Sequence, residues 1–236
     1  MPSRTCRCRN DVILFVADHC EYDVLILLDC SGSITSDGSL ENWIETLNFT
    51  KALVTDIDSH SPIGTKSRVG VFSYSERVVQ NVGLDENRRK DYIIQYIGNN
   101  QIDYQASTTH MLDAVQQAVT HLEATRRPTS SGLVATQILI LFTDGRPFSF
   151  TNDAENSTNV MQILAQLMEH GTYVSMVGVN RADAELMEKI ANYTTASGSS
   201  DFGRAVAAKN FTVLGSQAFA MSVVQPLNID CTGELH

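Results

Sequence analysis

Asp29, Ser31 and Ser33 stand at alternate positions in the stretch DVLILLDCSGS, residues 23–33. In extended backbone alternate side chains point the same way, so one carboxylate and two hydroxyls converge on one point. These are hard oxygen donors, a set that suits a small divalent cation such as Mg2+, with Mn2+ or Ca2+ as alternatives. A second carboxylate, Asp144, follows a similar apolar run in QILILFTDG, residues 137–145. Both runs read as fully buried strands that deliver polar groups to the edge of a sheet.

The intervening chain supplies the elements that must bring these ends together. Ser36, Asp37 and Ser39 offer N-cap oxygens to a helix over about 40–58, whose residues Trp43, Ile44, Leu47, Ala52, Leu53, Val54 and Ile57 form a core-facing stripe. Strands are expected at 68–74 and 78–82, and their short connection makes them an antiparallel hairpin. Helices follow at 85–97 and 109–125, then a break at 128–132 before the 137–142 strand. Beyond it come a helix at 154–170 stopped by Gly171, a strand at 173–179, a helix at 182–193, a strand at 202–207 and a helix at 215–225 closed by Pro226.

Strands alternating with helices of this length imply an α/β, doubly wound, mostly parallel six-stranded sheet with one antiparallel edge strand and helices on both faces. Ligands of such sheets sit outside the carboxyl ends of the strands, where strand order reverses. Asp29 and Asp144 both lie at such ends, which makes two separate patterns one candidate site.

Composition narrows the functions. With 43% hydrophobic and 19% charged residues over 236 positions, the chain has globular composition. Its formal net charge of −10 disfavours nucleic acid as a partner, because phosphate binding needs concentrated Lys and Arg. No run approaches the roughly 20 apolar residues of a membrane span. The opening MPSRTCRCRND lacks the apolar centre of a signal peptide, so the chain is expected to be either cytosolic or a fragment of a longer protein.

Cysteines and sequons favour the extracellular fragment. Cys20 precedes the first strand and Cys231 follows the last helix, so a bridge between them would clamp the ends of one domain, with Cys6 and Cys8 also available for pairing and Cys30 left over and buried beside the candidate site. The connectivity does not follow from spacing. Asn48, Asn156, Asn192 and Asn210 begin Asn-X-Ser/Thr glycosylation sequons. The domain organisation expected is an N-terminal cysteine-containing extension over 1–19, one domain over 20–231 and a tail over 232–236.

Three ordered loops carry a family resemblance: DCSGS at 29–33, STTHMLDAV at 107–115 and FTDGRP at 142–147. They resemble the metal-ion-dependent adhesion site of von Willebrand factor type A domains, the fold shared by integrin I domains, and VGVNRADAELMEKIAN at 177–192 is similar to that family's fifth strand and sixth helix. The resemblance covers about residues 22–231. It implies Asp29, Ser31, Ser33, Thr109 and Asp144 as the cation's surroundings, with Ser31 and Ser33 ligating directly, Asp29 and Asp144 often acting through water, and Thr109 joining or leaving with conformational state. Two positions depart from the family: Met111 stands where a second threonine is often found, and Ala106-Ser107 replaces the usual glycine pair. The former resembles the arrangement in some apicomplexan thrombospondin-related adhesins. A sliding last helix and an acidic internal ligand at Glu234, as in integrin I domains, are further implications of resemblance alone.

Two carboxylates neutralise a divalent ion and the other donors are neutral, so an open position should attract an acidic group from another protein, on a cell surface or in extracellular matrix. No general base or activated nucleophile stands near the ion, apart from His110, which reads as a surface helix residue, so the chain is not expected to be an enzyme. His19, His60, His121, His170 and His236 have no zinc-ligand spacing. Taken singly, the aspartates read as strand-end N-caps and the serines as turn residues; the five together read as a metal site. Other classes are an intracellular scaffold of the same fold and a nucleotide-dependent α/β enzyme, the latter lacking both GxGxxG and GxxxxGK[ST].

Overall fold

The computed structural model describes residues 21–35, 40–99, 101–130, 132–144, 153–180, 182, 184–191 and 203–224. Cys6, Cys8, Cys20, Cys231, Ser36, Asp37, Ser39, Asn192 and Glu234 lie outside these residues, so the disulfide, N-cap and internal-ligand expectations at those positions do too.

Chain order is β1 (Tyr22–Asp29), α1 (Glu41–His60), β2 (Arg68–Tyr74), β3 (Val78–Val82), α2 (Lys90–Gly98), α3 (Met111–Ala124), β4 (Thr136–Thr143), α4 (Asp153–Glu169), β5 (Tyr173–Val179), α5 (Ala184–Ala191), β6 (Gly203–Ala208), α6 (Phe211–Leu214) and α7 (Gln217–Val224). The six strands form one sheet in the order β3-β2-β1-β4-β5-β6. Only β3 runs antiparallel to its neighbour. This is the expected doubly wound sheet, and strand order reverses between β1 and β4.

Every residue of β1 is buried, as a central parallel strand covered on both faces requires. Its alternation divides the core. Val24, Ile26 and Leu28 pack with Trp43, Leu47, Leu53 and Ile57 of α1, Ile93 of α2 and Phe219 of α7. Leu25 and Leu27 face the other way, against Ala114, Ala118 and Leu122 of α3 and Leu164 and Met168 of α4.

Some expected boundaries shift for identifiable reasons. The helix expected from 85 begins at Lys90: Asn87 adopts a left-handed φ of 46°, the Asn87 amide donates to the Leu84 carbonyl, and Glu86 accepts from the Gly83 amide, which together make a turn. Leu40 occupies the N-cap position of α1. Ile44 is 51% exposed, and Phe49 fills the core instead, with ring centroids 6.1 Å from Phe142 and 5.8 Å from Phe219. The last helix starts at Gln217, and a separate short helix, α6, precedes it, capped by Asn210 Oδ1 accepting from the Val213 amide at 2.9 Å. Gly171 ends α4 as expected, at φ 80°.

The sequons fall in different settings. Asn210 is exposed on that helix cap, whereas Asn48 is half-buried within α1 and the hydroxyl of Thr50 is buried against the Thr46 carbonyl at 2.8 Å. Asn156 lies in α4.

At the amino ends of the strands sits a charge network. Asp23, fully buried, receives a bidentate pair from Arg68 (Nε–Oδ1 2.9 Å, Nη2–Oδ2 2.6 Å) and a third bond from Arg127 Nε at 3.0 Å. Arg127 Nη1 also meets Glu21 Oε2 at 2.7 Å. Burial pushes the Glu21 carboxyl up, but hydrogen bonds from Ser130 and Arg127 outweigh it and leave it below the ordinary carboxylate range.

Nearby, His121 Nε2 accepts from the Leu84 amide at 3.0 Å and the ring lies 5.0 Å from Phe72. Burial holds its pKa below the usual histidine value, opposed by Asp85 and assisted by Arg68. The folded chain therefore favours neutral imidazole, and stability is expected to be full above pH 6.5 and to fall as pH drops below it toward the folded value. His121→Gln retains an acceptor for Leu84 and should abolish this part of the pH dependence, measured by urea denaturation of both proteins between pH 7.5 and 5.

Candidate metal centre

Strand β1 ends on Asp29, and strand β4 hands over directly to Asp144, so both carboxylates stand at the crevice where strand order reverses. Leu28 pairs with Phe142, which places the two strand ends side by side. Asp29 is 1% exposed, Ser31 1% and Asp144 2%. Ser33 faces solvent and Thr109 is half-buried.

Four of the five candidate residues are joined by hydrogen bonds. Asp29 Oδ1 accepts from the Ser31 amide at 2.9 Å, which turns the chain back over the strand end. Ser31 Oγ and Ser33 Oγ are 3.0 Å apart, and Ser33 Oγ donates to Asp144 Oδ1 at 2.6 Å. Thr109 makes no hydrogen bond to this chain of groups. Its loop is nevertheless fastened to theirs: the Gly32 amide donates to the Ser107 carbonyl at 2.9 Å, and the Ala106 amide to the Cys30 carbonyl at 3.2 Å.

Close approach explains two residues here. A Cβ on Gly32 would lie 3.3 Å from the Ala106 carbonyl oxygen, tighter than ordinary contact. Ala106 itself takes a left-handed φ of 52°, so the position where the family usually has glycine keeps a conformation that glycine adopts freely. Met111 is 1% exposed and belongs to the hydrophobic core on the α3 and α4 side of the sheet, which accounts for an apolar residue there. His110 caps α3 at the surface, its Nε2 3.0 Å from Thr108 Oγ1.

Electrostatics favour a cation. Burial raises the pKa of Asp29, and hydrogen bonds from Ser31 and Thr143 only partly offset this. Among the described residues no Lys, Arg or His pairs with Asp29. A buried carboxylate without a counter-charge is costly, and a divalent ion would supply one. The spacing also fits: adjacent oxygens of an octahedral Mg2+ site with bonds of about 2.1 Å lie about 3.0 Å apart. Among the described residues no three His, Cys, Asp or Glu cluster together, so the donor set here is two carboxylates supplemented by hydroxyls. An open cavity of about 760 Å³ adjoins the site, lined by Glu76, Arg77, Asp103, Tyr104, Gln105 and Ser107.

Two contributors escaped the sequence reading. Thr143 Oγ1 donates to Asp29 Oδ2 at 2.9 Å; its place directly before Asp144 was the available signal. Tyr104 Oη donates to the Ser31 carbonyl, and no motif or spacing marked it. Cys30 is, as expected, buried and free; burial pushes its thiol up to about 12, and Sγ contacts the Tyr74 carbonyl at 3.2 Å.

A doubly wound sheet with carboxylates and hydroxyls gathered at its switch point defines a class of ligand-binding α/β domain. Residues 23–220 match the von Willebrand factor type A domain, and the chain belongs to that family. It is 26% identical over 174 residues to the mouse collagen alpha-4(VI) chain, covering 72% of this chain and 7% of that one, so it spans only a small part of this relative's length. Its fold is similar to that of proximal thread matrix protein 1 from the mussel byssus, solved with a zinc-occupied metal-ion-dependent adhesion site (TM-score 0.67, 19% identity, 88% of this chain and 48% of that chain). It is also similar to that of the manganese-loaded TRAP protein of Plasmodium vivax (TM-score 0.60, 19% identity, 87% and 72%).

Proposed function

We propose that this chain is an extracellular adhesion domain, occupying residues 20–231, that binds a carboxylate of a protein ligand through a divalent cation held by Asp29, Ser31, Ser33, Thr109 and Asp144. The observation that carries this reading is the buried Asp29 carboxylate, matched by no basic side chain among the described residues and part of one hydrogen-bonded group with Ser31, Ser33 and Asp144. A bound cation would supply an electrophilic position for an incoming carboxylate. The residues themselves do the rest: Asp29 and Asp144 balance the ion's charge, the serine hydroxyls add neutral donors, and Thr143 orients Asp29. The adjoining cavity leaves room for side chains flanking the ligand's acidic residue.

Mg2+ is the preferred ion on donor hardness, while the zinc and manganese in the two similar structures support divalent occupancy more broadly. Likeness to a collagen chain and a byssus thread protein supports the extracellular setting, as do the cysteines and sequons. The test is capture from cell-surface and matrix extracts on immobilised wild type and Asp144→Ala. A ligand retained by wild type in Mg2+ and released by EDTA, and not retained by the variant, is expected. Equal retention under all these conditions would contradict a metal-dependent carboxylate contact.

A further inference from the structure

We propose that Tyr104 is a positioning residue of the metal centre, holding the peptide between Ser31 and Gly32 in the orientation that aims both serine hydroxyls at the cation. This inference rests on the metal-binding reading above.

That peptide is gripped on both sides by one segment. Its carbonyl, on Ser31, accepts from Tyr104 Oη at 2.9 Å, and its amide, on Gly32, donates to the Ser107 carbonyl at 2.9 Å. Among the described residues, the only other hydrogen bond to the Ser31 carbonyl comes from the Ile34 amide at a longer 3.3 Å. Because Gly32 has no side chain to restrict its own rotation, these bonds bear directly on the plane of the peptide. Rotating it would swing Ser31 and Ser33 out of their common direction, since one donor lies on each side of it.

Tyr104 is itself well held. Its ring packs on buried Trp43, with centroids 5.6 Å apart at 41°. Its hydroxyl has one proton, which goes to Ser31; Thr35 Oγ1, 2.7 Å away, therefore donates to it. The loop is thus tied to Tyr104 at two points, Ser31 and Thr35, on either side of Ser33. Asn42 Nδ2 adds a separate tie to the Ile34 carbonyl at 2.9 Å. Tyr104 touches none of the proposed ligand oxygens, so it acts through the backbone.

Tyr104→Phe keeps the ring and its packing and removes only the hydroxyl. Mg2+ titrated into EDTA-stripped proteins by calorimetry should show about tenfold weaker binding in the variant, the scale typical when a group that orients metal ligands is lost. Thr35→Val, which leaves the Tyr104–Ser31 bond, should weaken binding by about threefold. Melting in EDTA and in saturating Mg2+ provides the second readout: the Mg2+-induced rise at a fixed sub-saturating concentration should shrink in Tyr104→Phe. An unchanged dissociation constant in both variants, with melting lowered equally in EDTA and Mg2+, would reduce Tyr104 to a packing residue and overturn the proposal while leaving the metal site intact. If Tyr104→Phe fails to fold, Thr35→Val alone decides. Wild type that binds no Mg2+ would overturn both readings.

Discussion

Arg127→Ala is expected to lose about 3–5 kcal/mol of stability, the range seen when one partner is removed from a buried ion pair. Its guanidinium holds Asp23 Oδ1 at 3.0 Å and Glu21 Oε2 at 2.7 Å and also donates to the Lys66 carbonyl, so truncation strips charge compensation from two buried carboxylates. Arg68 would still pair with Asp23, which keeps the loss from being larger. For a domain of this size each kcal/mol lowers the melting midpoint by about 2–4 °C, so a fall of about 10 °C is expected. Arg126→Ala, whose residue makes one exposed bond to the His170 carbonyl, should stay within about 0.5 kcal/mol of wild type. Glu21 adds a pH signature. Its folded pKa is depressed, so its contribution is fully present above pH 4.5 and is lost as pH falls through the folded value. Without Arg127 only the Ser130 bonds oppose burial, so the depression of the Glu21 pKa, and with it the acid-induced loss assigned to Glu21, should shrink. Urea denaturation of the three proteins between pH 7 and 3.5 checks both effects.

Asp29→Asn should invert the stability order according to the metal present. In EDTA the variant is expected to be as stable as wild type or more so, because the amide removes a buried charge that no described basic residue matches, while its oxygen can still accept from the Ser31 amide. In Mg2+ at about 100 times the wild-type dissociation constant, wild type should gain about 2.7 kcal/mol and the variant almost nothing. The sign of the pH effect follows from the raised pKa of Asp29. The metal-free folded state holds the proton more tightly than the unfolded chain, so metal-free wild type should gain stability as pH falls through the folded value of Asp29 toward 3.8, and Asp29→Asn should not. Protons and Mg2+ compete for the same carboxylate, so Mg2+ affinity should weaken over that window. Melting curves in EDTA and Mg2+ from pH 7.5 downward measure all of this.

The sequence carried the strands better than the joints between elements. The bounds of β2, β3 and β5 were legible because each is a Val-rich run, with aromatic residues in β2 and β5, set between polar breaks. The start of α2 was not, since the charged stretch before Lys90 suits a helix and only the turn at Asn87, with its left-handed backbone, prevents one. Ile44 and Phe49 show the same limit within α1: both fit a helical stripe, and the position of Phe142 and Phe219 across the core decides which is buried. At the site, Asp29, Ser31, Ser33 and Asp144 were readable because local spacing and strand ends place them. Thr143 and Tyr104 were not, because their roles arise from contacts across 114 and 73 residues. The Arg127 network was hidden for a similar reason: its bonds to Asp23 and Glu21 cross 104 and 106 residues.

The central claim is that Asp29 and Asp144, brought together from two strand ends, form one cation site. Calorimetric titration of Mg2+ into EDTA-stripped wild type, Asp29→Ala and Asp144→Ala tests it most directly. One ion per wild-type chain is expected, with an affinity weaker by about 100-fold or more in each variant, since losing a group that balances the ion's charge should exceed the 10–100-fold typical of outer partners. Equal affinity in the three proteins, or no binding by wild type, would contradict it.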